Sequence, residues 1–265
     1  MGKSRILSLL LFNSLLLLWV PQRGQSAFDA PEAFPVSFAL ANLSSFPDYL
    51  LGENQWCVST GGARLFSMPE LQPFALYMRA PLLTGSLYFK GFGLNSGKYS
   101  EMISGIGYKY PLTQTVSAAL EIHALQVAIE DYGTTWSGQA NARLYWRILP
   151  NLEAAGVLVN FTGSTFGAGR YPLPRRMALG SKYIPMQNVQ LFLEIEQETY
   201  HNMTARLGLG YTFLQSLTWM LGFQGDPDVL ATGLSFAFSR LHATAGFQYH
   251  PDLGLSQCYG IAVAF

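Results

Sequence analysis

Ten charged side chains fall on one face of the strands that the sequence predicts, and they are its main candidates for site chemistry. They are Arg79, Lys90, Lys109, Glu121, Arg143, Arg147, Lys182, Glu194, Glu196 and Arg206. Opposite charges on neighbouring strands form ion pairs when they share a face. The set predicts either a structural ion-pair network or a charged constriction that selects solutes.

No enzyme motif accompanies these charges. The sequence lacks a Gly-x-Ser-x-Gly elbow, a phosphate-binding Gly-x-x-x-x-Gly-Lys loop and a His-Glu-x-x-His zinc site. The histidines His123, His201, His242 and His250 are scattered over separate predicted strands and loops. His242 and His250 share a face but lie about 26 Å apart along a strand, too far to ligate one metal. We expect no enzymatic activity, no cofactor and no metal.

The composition excludes several other classes. Of 265 residues, 49% are hydrophobic, 14% aromatic and only 12% charged, about half the charge of an ordinary soluble domain. Sixteen basic and sixteen acidic side chains cancel, so there is no cationic field to attract nucleic acid. Neither a disordered chain nor a nucleic-acid partner is expected.

Residues 1–27 have the plan of a secretory signal peptide. Lys3 and Arg5 precede an apolar run over residues 6–20, and small residues follow Pro21. The alternative is a membrane anchor, but a run of about 15 residues is shorter than the roughly 20 that cross a bilayer. We expect export and cleavage, which leaves residues 28–53 as an N-terminal segment and 54–265 as the main domain.

The main domain alternates strictly between apolar and polar residues. In residues 187–199, Val189, Leu191, Leu193 and Ile195 oppose Gln190, Glu194, Glu196 and Glu198. A strand separates these two sets onto opposite faces, whereas a helix mixes them. The pattern recurs and predicts fourteen strands, at 54–66, 72–79, 82–92, 99–110, 114–129, 137–148, 152–162, 174–184, 187–198, 203–213, 216–224, 228–238, 241–250 and 256–265.

The predicted connections alternate in length. Tight turns fall at 80–81, 111–112, 149–151, 214–215 and 239–240, and longer loops at 93–98, 130–136, 163–173 and 225–227. Short turns at one end and long loops at the other are typical of an outer-membrane barrel, with the short turns in the periplasm. The sequence therefore predicts an all-β fold, a single 14-stranded antiparallel transmembrane β-barrel in a bacterial outer membrane.

A secreted β-sandwich or lipocalin-like barrel is the soluble alternative. It also alternates, but its polar face meets bulk water and carries more charge than this chain has. Outward aromatic residues favour the membrane barrel, because they gather in two belts that bracket a hydrocarbon slab. The belts are Trp56, Tyr108, Trp146, Tyr183, Phe213, Trp219 and Phe265 near the short turns, and Phe161, Phe223, Tyr249 and Tyr259 near the long loops.

The last strand, Tyr259-Gly260-Ile261-Ala262-Val263-Ala264-Phe265, resembles the terminal strand of Gram-negative outer-membrane proteins. The run from Ala243, with Gly246-Phe247-Gln248-Tyr249-His250-Pro251 and Leu253-Gly254-Leu255-Ser256-Gln257, is similar to the closing hairpin of the PorV/PorQ family, a branch of the FadL-like barrels. Ile129-Glu130-Asp131-Tyr132-Gly133, the run 156–161 and the run 177–183 also resemble that family. Residues 41–47 depart from its Asn-Pro-Ala hatch motif.

The resemblance implies two functions. One is a PorV-like, non-enzymatic role in protein export to the cell surface by type IX secretion, with secretion-system proteins or exported cargo as partners. The other is a FadL-like channel for hydrophobic small molecules. In both cases outer-membrane lipid surrounds the barrel. From the sequence itself, we expect residues 28–53, with the apolar stretch 36–43, either to plug the lumen or to lie across its periplasmic mouth.

Two pairings test the predicted topology. Glu194 and Arg206 lie almost opposite each other across one hairpin, so we expect an ion pair in the lumen. Cys57 and Cys258 lie at opposite ends of neighbouring strands, more than 20 Å apart against the roughly 7 Å limit for a disulfide. We therefore expect two thiols.

Overall fold

The computed structural model describes residues 34–46, 55–168, 170–199 and 201–265. The predicted signal peptide and residues 28–33 and 47–53 of the predicted N-terminal segment lie outside these ranges. In the described part of the chain, no helix is both long and apolar enough to cross a membrane. One short helix, α1 (Pro35–Ala39), precedes the strands.

Fourteen antiparallel strands close into one barrel, as the alternation predicts. They are β1 Cys57–Arg64, β2 Gln72–Leu82, β3 Gly85–Asn95, β4 Tyr99–Pro111, β5 Val116–Ile129, β6 Gly133–Leu149, β7 Leu152–Val159, β10 Arg176–Met186, β11 Val189–Glu198, β12 Thr204–Phe213, β13 Leu217–Gly225, β14 Val229–Phe238, β15 Leu241–His250 and β16 Gly254–Ala264. The strands β8 (Thr165–Phe166) and β9 (Tyr171–Pro172) form a separate small hairpin. β1 pairs with β16 and closes the sheet.

The strand register fixes the tilt of the barrel. Following paired residues once around the sheet returns to β1 fourteen residues further along. This stagger equals the number of strands, so the tilt follows from the 3.3 Å rise and 4.8 Å spacing and is about 35°. The register also assigns each inward side chain a height in the barrel.

Inward and outward faces follow the predicted alternation. On β11, Leu191, Leu193 and Ile195 are 41%, 45% and 43% exposed, whereas Glu194 is fully buried. The residues predicted for the two aromatic belts lie at the surface, among them Trp56, Trp146 and Phe265 at one end. The placement of Phe223 and Tyr259 near the long loops is wrong, because the strand register and tilt put both close to mid-height. An apolar outer surface of this extent is incompatible with a water-exposed sandwich.

Several predicted turns are displaced. Ala80 and Pro81 continue β2, and the turn is formed by Leu83 and Thr84 instead. Pro111 ends β4, so the next turn covers residues 112–115. The predicted loop at 130–136 shortens to 130–132, because β6 already begins at Gly133. Ladder pairing with the neighbouring strand outweighs the local turn preference in each case.

One end of the barrel is uneven. β6 has seventeen residues but β7 has only eight, and Ala142 pairs with Leu158, so residues 133–140 of β6 extend roughly 20 Å beyond the end of β7, given the rise per residue and the tilt. Residues 160–175, which hold the small hairpin, fold against this extension. Phe161 donates its backbone N–H to the carbonyl of Ala140 at 3.1 Å, and Ser137 Oγ donates to the carbonyl of Thr165 at 2.7 Å.

The two cysteines lie at opposite ends of the closing strand pair. Cys57 is opposite Ala264, and Cys258 is opposite Ala63. Six residue positions therefore separate them along the strands, which is about 20 Å. This register confirms the prediction that no disulfide joins Cys57 to Cys258.

Candidate functional site

Residues 34–46 lie inside the barrel, and we call this segment the plug. Phe38, Ala39, Leu40 and Leu43 are each at most 2% exposed. Pro35 occupies the first turn of α1, where a missing backbone N–H costs nothing. After the helix, Ala41 and Asn42 adopt positive φ angles, which reverses the chain and brings Ser44 and Ser45 to the opposite wall.

Apolar contacts hold both ends of the plug. Leu40, Leu43 and Phe46 pack with Phe192 and Met220, which point inward from β11 and β13. The ring centroids of Phe46 and Phe192 are 6.1 Å apart. On the other side, the side chain of Phe38 packs among Ala63, Leu65, Ala75 and Cys258. Burial of these side chains favours the docked position of the plug.

The wall facing the plug is built from inward glycines, which we call the glycine arc. Its members are Gly180, Gly208, Gly222, Gly233, Gly246 and Gly260. The register and tilt place them within about one residue, or roughly 3 Å, of one height. A Cβ at Gly222 would lie 2.5 Å from the backbone carbon of Leu40, and one at Gly233 would lie 2.5 Å from Cβ of Ala39. The arc thus leaves the space that the plug fills.

Glu194 is the main polar anchor of the plug. Its carboxylate accepts the backbone N–H groups of Ser44 and Ser45 at 3.0 and 2.7 Å, and also both serine hydroxyls. Arg206 donates Nη1 to Glu194 and Nη2 to Glu196, each at 2.9 Å. The predicted Glu194–Arg206 ion pair is therefore confirmed, and the same carboxylate also binds the plug.

Two further side chains bind the plug backbone. Arg143 on β6 donates Nη1 to the carbonyl of Ser44 at 2.7 Å. Gln248 on β15 donates Nε2 to the carbonyl of Phe38 at 2.7 Å and to Oδ1 of Asn42 at 3.0 Å. Because these contacts reach the plug from opposite walls, they fix its position across the lumen.

A second charged cluster surrounds Glu121. Oε1 of Glu121 accepts Arg143 Nε at 2.7 Å, Tyr88 Oη at 2.8 Å and Lys90 Nζ at 3.2 Å. Oε2 lies 2.8 Å from Nε2 of His123. Since the side chain of Glu121 is only 1% exposed, these partners replace the water it loses on burial. Arg143 links this cluster to the plug.

The remaining predicted charges lie closer to the short-turn end. Lys182 pairs with Glu153 at 2.6 Å, and Arg147 lies 3.6 Å from the same carboxylate. Lys109 places its amino group 4.5 Å from the ring centre of Tyr145. Nε of Arg79 donates to the carbonyl of Gln55 at 3.4 Å. The ten predicted residues thus form two central clusters and a more dispersed group.

Sequence reasoning missed several contributors. Glu153, Tyr88 and Gln248 alternate inward like the ten charged residues, so the same periodicity identifies them. Phe192 and Met220 are apolar residues at inward positions, and only contact with the plug explains them. In the described ranges, no group of three or more His, Cys, Asp or Glu side chains is placed to hold a metal ion.

These observations define a closed, fourteen-stranded β-barrel whose lumen holds an internal plug. Two solved structures of similar fold are the toluene transporter TodX of Pseudomonas putida and a TodX deletion mutant described as a monoaromatic hydrocarbon channel. The first has a TM-score of 0.60 and 9% identity over 92% of this chain and 98% of that chain. The second has 0.61 and 8% over 87% and 98%.

A porin of Rh. blastica aligns with a TM-score of 0.48 and 9% identity over 80% of this chain and 99% of that chain. Sequence comparison finds no matching protein family and no matching curated protein. At identities this low, the similarity to TodX establishes a shared barrel fold.

Proposed function

We propose that this protein is a bacterial outer-membrane channel for hydrophobic small molecules, held closed by its plug. The observation that carries the proposal is the plug itself, seated on the glycine arc and tied to Glu194, Arg143 and Gln248. A lumen blocked at mid-height needs a segment that moves before solutes pass. The contacts of the plug are those of a separable segment, because no backbone ladder joins it to the described strands.

The membrane setting rests on the outer wall. Exposed leucines and isoleucines cover the middle of the barrel, and aromatic residues such as Trp56, Phe265, Phe161 and Tyr249 lie towards its ends. Residues 1–27 provide the predicted export signal, and the short-turn end is proposed to face the periplasm. The fold that the chain shares with TodX supports transport of apolar solutes.

Aromatic side chains inside the lumen also favour an apolar solute. The rings of Phe34 and Tyr77 meet edge to face at 6.5 Å, and Tyr77 lies 6.2 Å from Tyr88. Tyr145 packs against the same group. Such a surface binds hydrocarbon more readily than it binds sugars or ions.

A reversible crosslink tests the proposal. A Cβ on Gly246 would lie 3.4 Å from Cβ of Ala39, close to the 3.5–4.5 Å range of disulfides. We therefore expect the double variant A39C/G246C, with Cys57 and Cys258 replaced by alanine, to lock the plug when oxidised. In proteoliposomes, toluene should enter after reduction and be excluded after oxidation.

The controls are the two single-cysteine variants, whose flux should not respond to oxidant. Equal toluene flux through the oxidised and the reduced A39C/G246C variant would contradict the proposal that the plug gates the channel. Passage of sucrose but not toluene would indicate a general pore instead of a channel for apolar solutes.

The PorV-like role in type IX secretion remains a prediction from resemblance. Neither the contacts of the plug nor the solved structures of similar fold add support to it. Co-purification of the full chain from membranes tests it, because secretion-system proteins or exported cargo should then be recovered with the barrel.

A further inference from the structure

An apolar groove of about 660 Å³ crosses the outer wall where β13–β16 meet β1. It lies on the face opposite to the lumen, so neither the plug nor the charged clusters use it. Its lining residues are Thr60, Gly61, Gly62, Leu217, Leu234, Phe236, Ala243, Thr244, Ala245, Tyr259, Gly260 and Ile261.

Small side chains on one strand form the floor of this groove. Ala243 and Ala245 point outward from β15. On β14, Phe236 and Leu234 are their direct partners, and on β16 the partners are Ile261 and Tyr259. Large residues thus flank two alanines on both sides, which leaves a channel parallel to the strands and about the width of one strand.

The groove offers no spare hydrogen-bond donor among its three hydroxyl groups. Thr60 Oγ1 donates to the carbonyl of Ala75 at 3.1 Å, and Thr244 Oγ1 donates to Ser235 Oγ at 2.9 Å. Tyr259 Oη donates to Oε1 of Gln257 at 2.9 Å. An occupant therefore gains contact with hydrocarbon surface alone, and an apolar chain matches it.

A second copy of the barrel fits this groove poorly. In a two-fold dimer the same patch meets itself, so two concave surfaces would face each other across a void. Twelve lining residues are also fewer than the 20–30 that each partner contributes to a stable interface. A narrow and flexible occupant fills the channel better.

A cation marks one end of the groove. Arg240 is exposed in the two-residue turn that joins β14 to β15, the strands that carry Phe236 and Ala243. An arginine at this level of a membrane attracts anionic lipid headgroups. We propose that the groove binds one acyl chain of an anionic phospholipid, with Arg240 facing its phosphate.

This inference depends on the membrane setting in the proposed function, and on the short-turn end facing the periplasmic leaflet. Its test uses Trp219, which lies beside the groove opposite Leu234. In a variant with Trp19, Trp56, Trp136 and Trp146 changed to phenylalanine, Trp219 fluorescence is measured in vesicles containing a small fraction of lipid with brominated acyl chains.

Brominated phosphatidylglycerol should be enriched at Trp219 about fivefold over brominated phosphatidylcholine, the ratio expected for one arginine near an anionic headgroup. Filling the groove by Ala245→Phe should abolish this enrichment, and Arg240→Gln should reduce it to near unity. The matched control is Ala142→Phe, on the outer face of β6. This variant should retain the enrichment of phosphatidylglycerol at Trp219.

Equal quenching by the two lipids in the parent variant would overturn the proposed site. Enrichment that survives Ala245→Phe would overturn it as well. Absence of quenching by either lipid means that the barrel does not enter the bilayer, and that outcome refutes the proposed function rather than the groove alone.

Discussion

Glu194 illustrates how one buried residue serves two roles. Its carboxylate pairs with Arg206 and also accepts two backbone N–H groups of the plug. Because Glu196 also binds Arg206, the arginine keeps one partner if Glu194 loses its charge. The plug has no such substitute for its two serine N–H groups among the contacts described.

Replacing Glu194 by glutamine should therefore loosen the plug while the β-sheet of the barrel remains intact. Hydrogen bonds to a charged group contribute about 1.5–3 kcal/mol each, so we expect a marked rise in open probability. Single-channel recordings in planar bilayers measure this open probability. Glu130→Gln removes an exposed carboxylate that pairs with Lys98, away from the plug, and should leave channel opening unchanged. An equal open probability in both variants and the parent would contradict the anchoring role of Glu194.

Glu121 has a structural role that a different variant measures. Glu121→Ala leaves Arg143 and Lys90 without their shared carboxylate, which should cost about 3–5 kcal/mol of barrel stability. Urea unfolding in detergent or lipid reports this change. Tyr88→Phe removes one of the four contacts and should cost less than half as much. An equal loss of stability in the Glu121→Ala and Tyr88→Phe variants would show that the ion pairs of Glu121 contribute little to barrel stability.

For single residues, the sequence predicts correctly those features that depend on strand periodicity alone. Strict alternation placed Glu194 and Arg206 inward and opposite each other, and the register agrees. Alternation also places Phe192 and Met220 inward, but it does not explain why these inner-face residues are apolar. Only the plug, which lies about 150 residues or more away in sequence, accounts for them.

The glycine arc determines how close the plug approaches the wall. Gly222→Ala should push Leu40 and Ala41 away, since its Cβ would lie within 2.6 Å of two of their backbone atoms. Hydrogen exchange at the amides of residues 38–42 should then accelerate by tenfold or more, given a strain cost above about 1.4 kcal/mol.

Gly156→Ala is the matched control for this effect. Gly156 lies on the outer face of β7, and the nearest atom to its Cβ would be Leu179 Cδ2 at 3.8 Å. Exchange of the plug amides should not change in this variant. Similar acceleration in both variants would show that the glycines act through the strands and not through contact with the plug.

Strand positions could be predicted because each strand repeats one physical pattern, but strand ends could not. Pro81 looked like a turn residue, yet it pairs with Ser86 inside the β2–β3 ladder. Proline fits near the end of a strand where its nitrogen has no required acceptor. The small hairpin in residues 160–175 gave no periodic signal, because each of its strands has two residues.

The outer wall as a whole predicts how the barrel tolerates charge. Leu207 points outward near mid-height and is 53% exposed. Leu207→Arg should cost about 2–4 kcal/mol of folding free energy in lipid vesicles. Leu253→Arg, in the turn between β15 and β16, should cost about 1 kcal/mol or less because it lies near the interface. Comparable costs at both positions would contradict the membrane setting.

The position of the plug depends on the whole barrel and is therefore hard to predict from sequence. The members of the glycine arc come from six strands, and only the fourteen-residue stagger brings them to one height. Residues 36–43 were recognised as an apolar stretch, but plugging the lumen and covering its mouth were equally consistent with it.

The glycine arc also constrains the order in which the molecule assembles. Contacts such as Gln248 with Phe38 span 210 residues, and the hairpins that carry the arc form from neighbours in sequence. Closing long loops is slow, so local hairpins precede distant contacts. The plug precedes the strands in the sequence, yet Phe38 packs against both Ala63 on β1 and Cys258 on β16, so its seat should be complete only once β16 has joined β1. A docked plug thus reports that the barrel is complete.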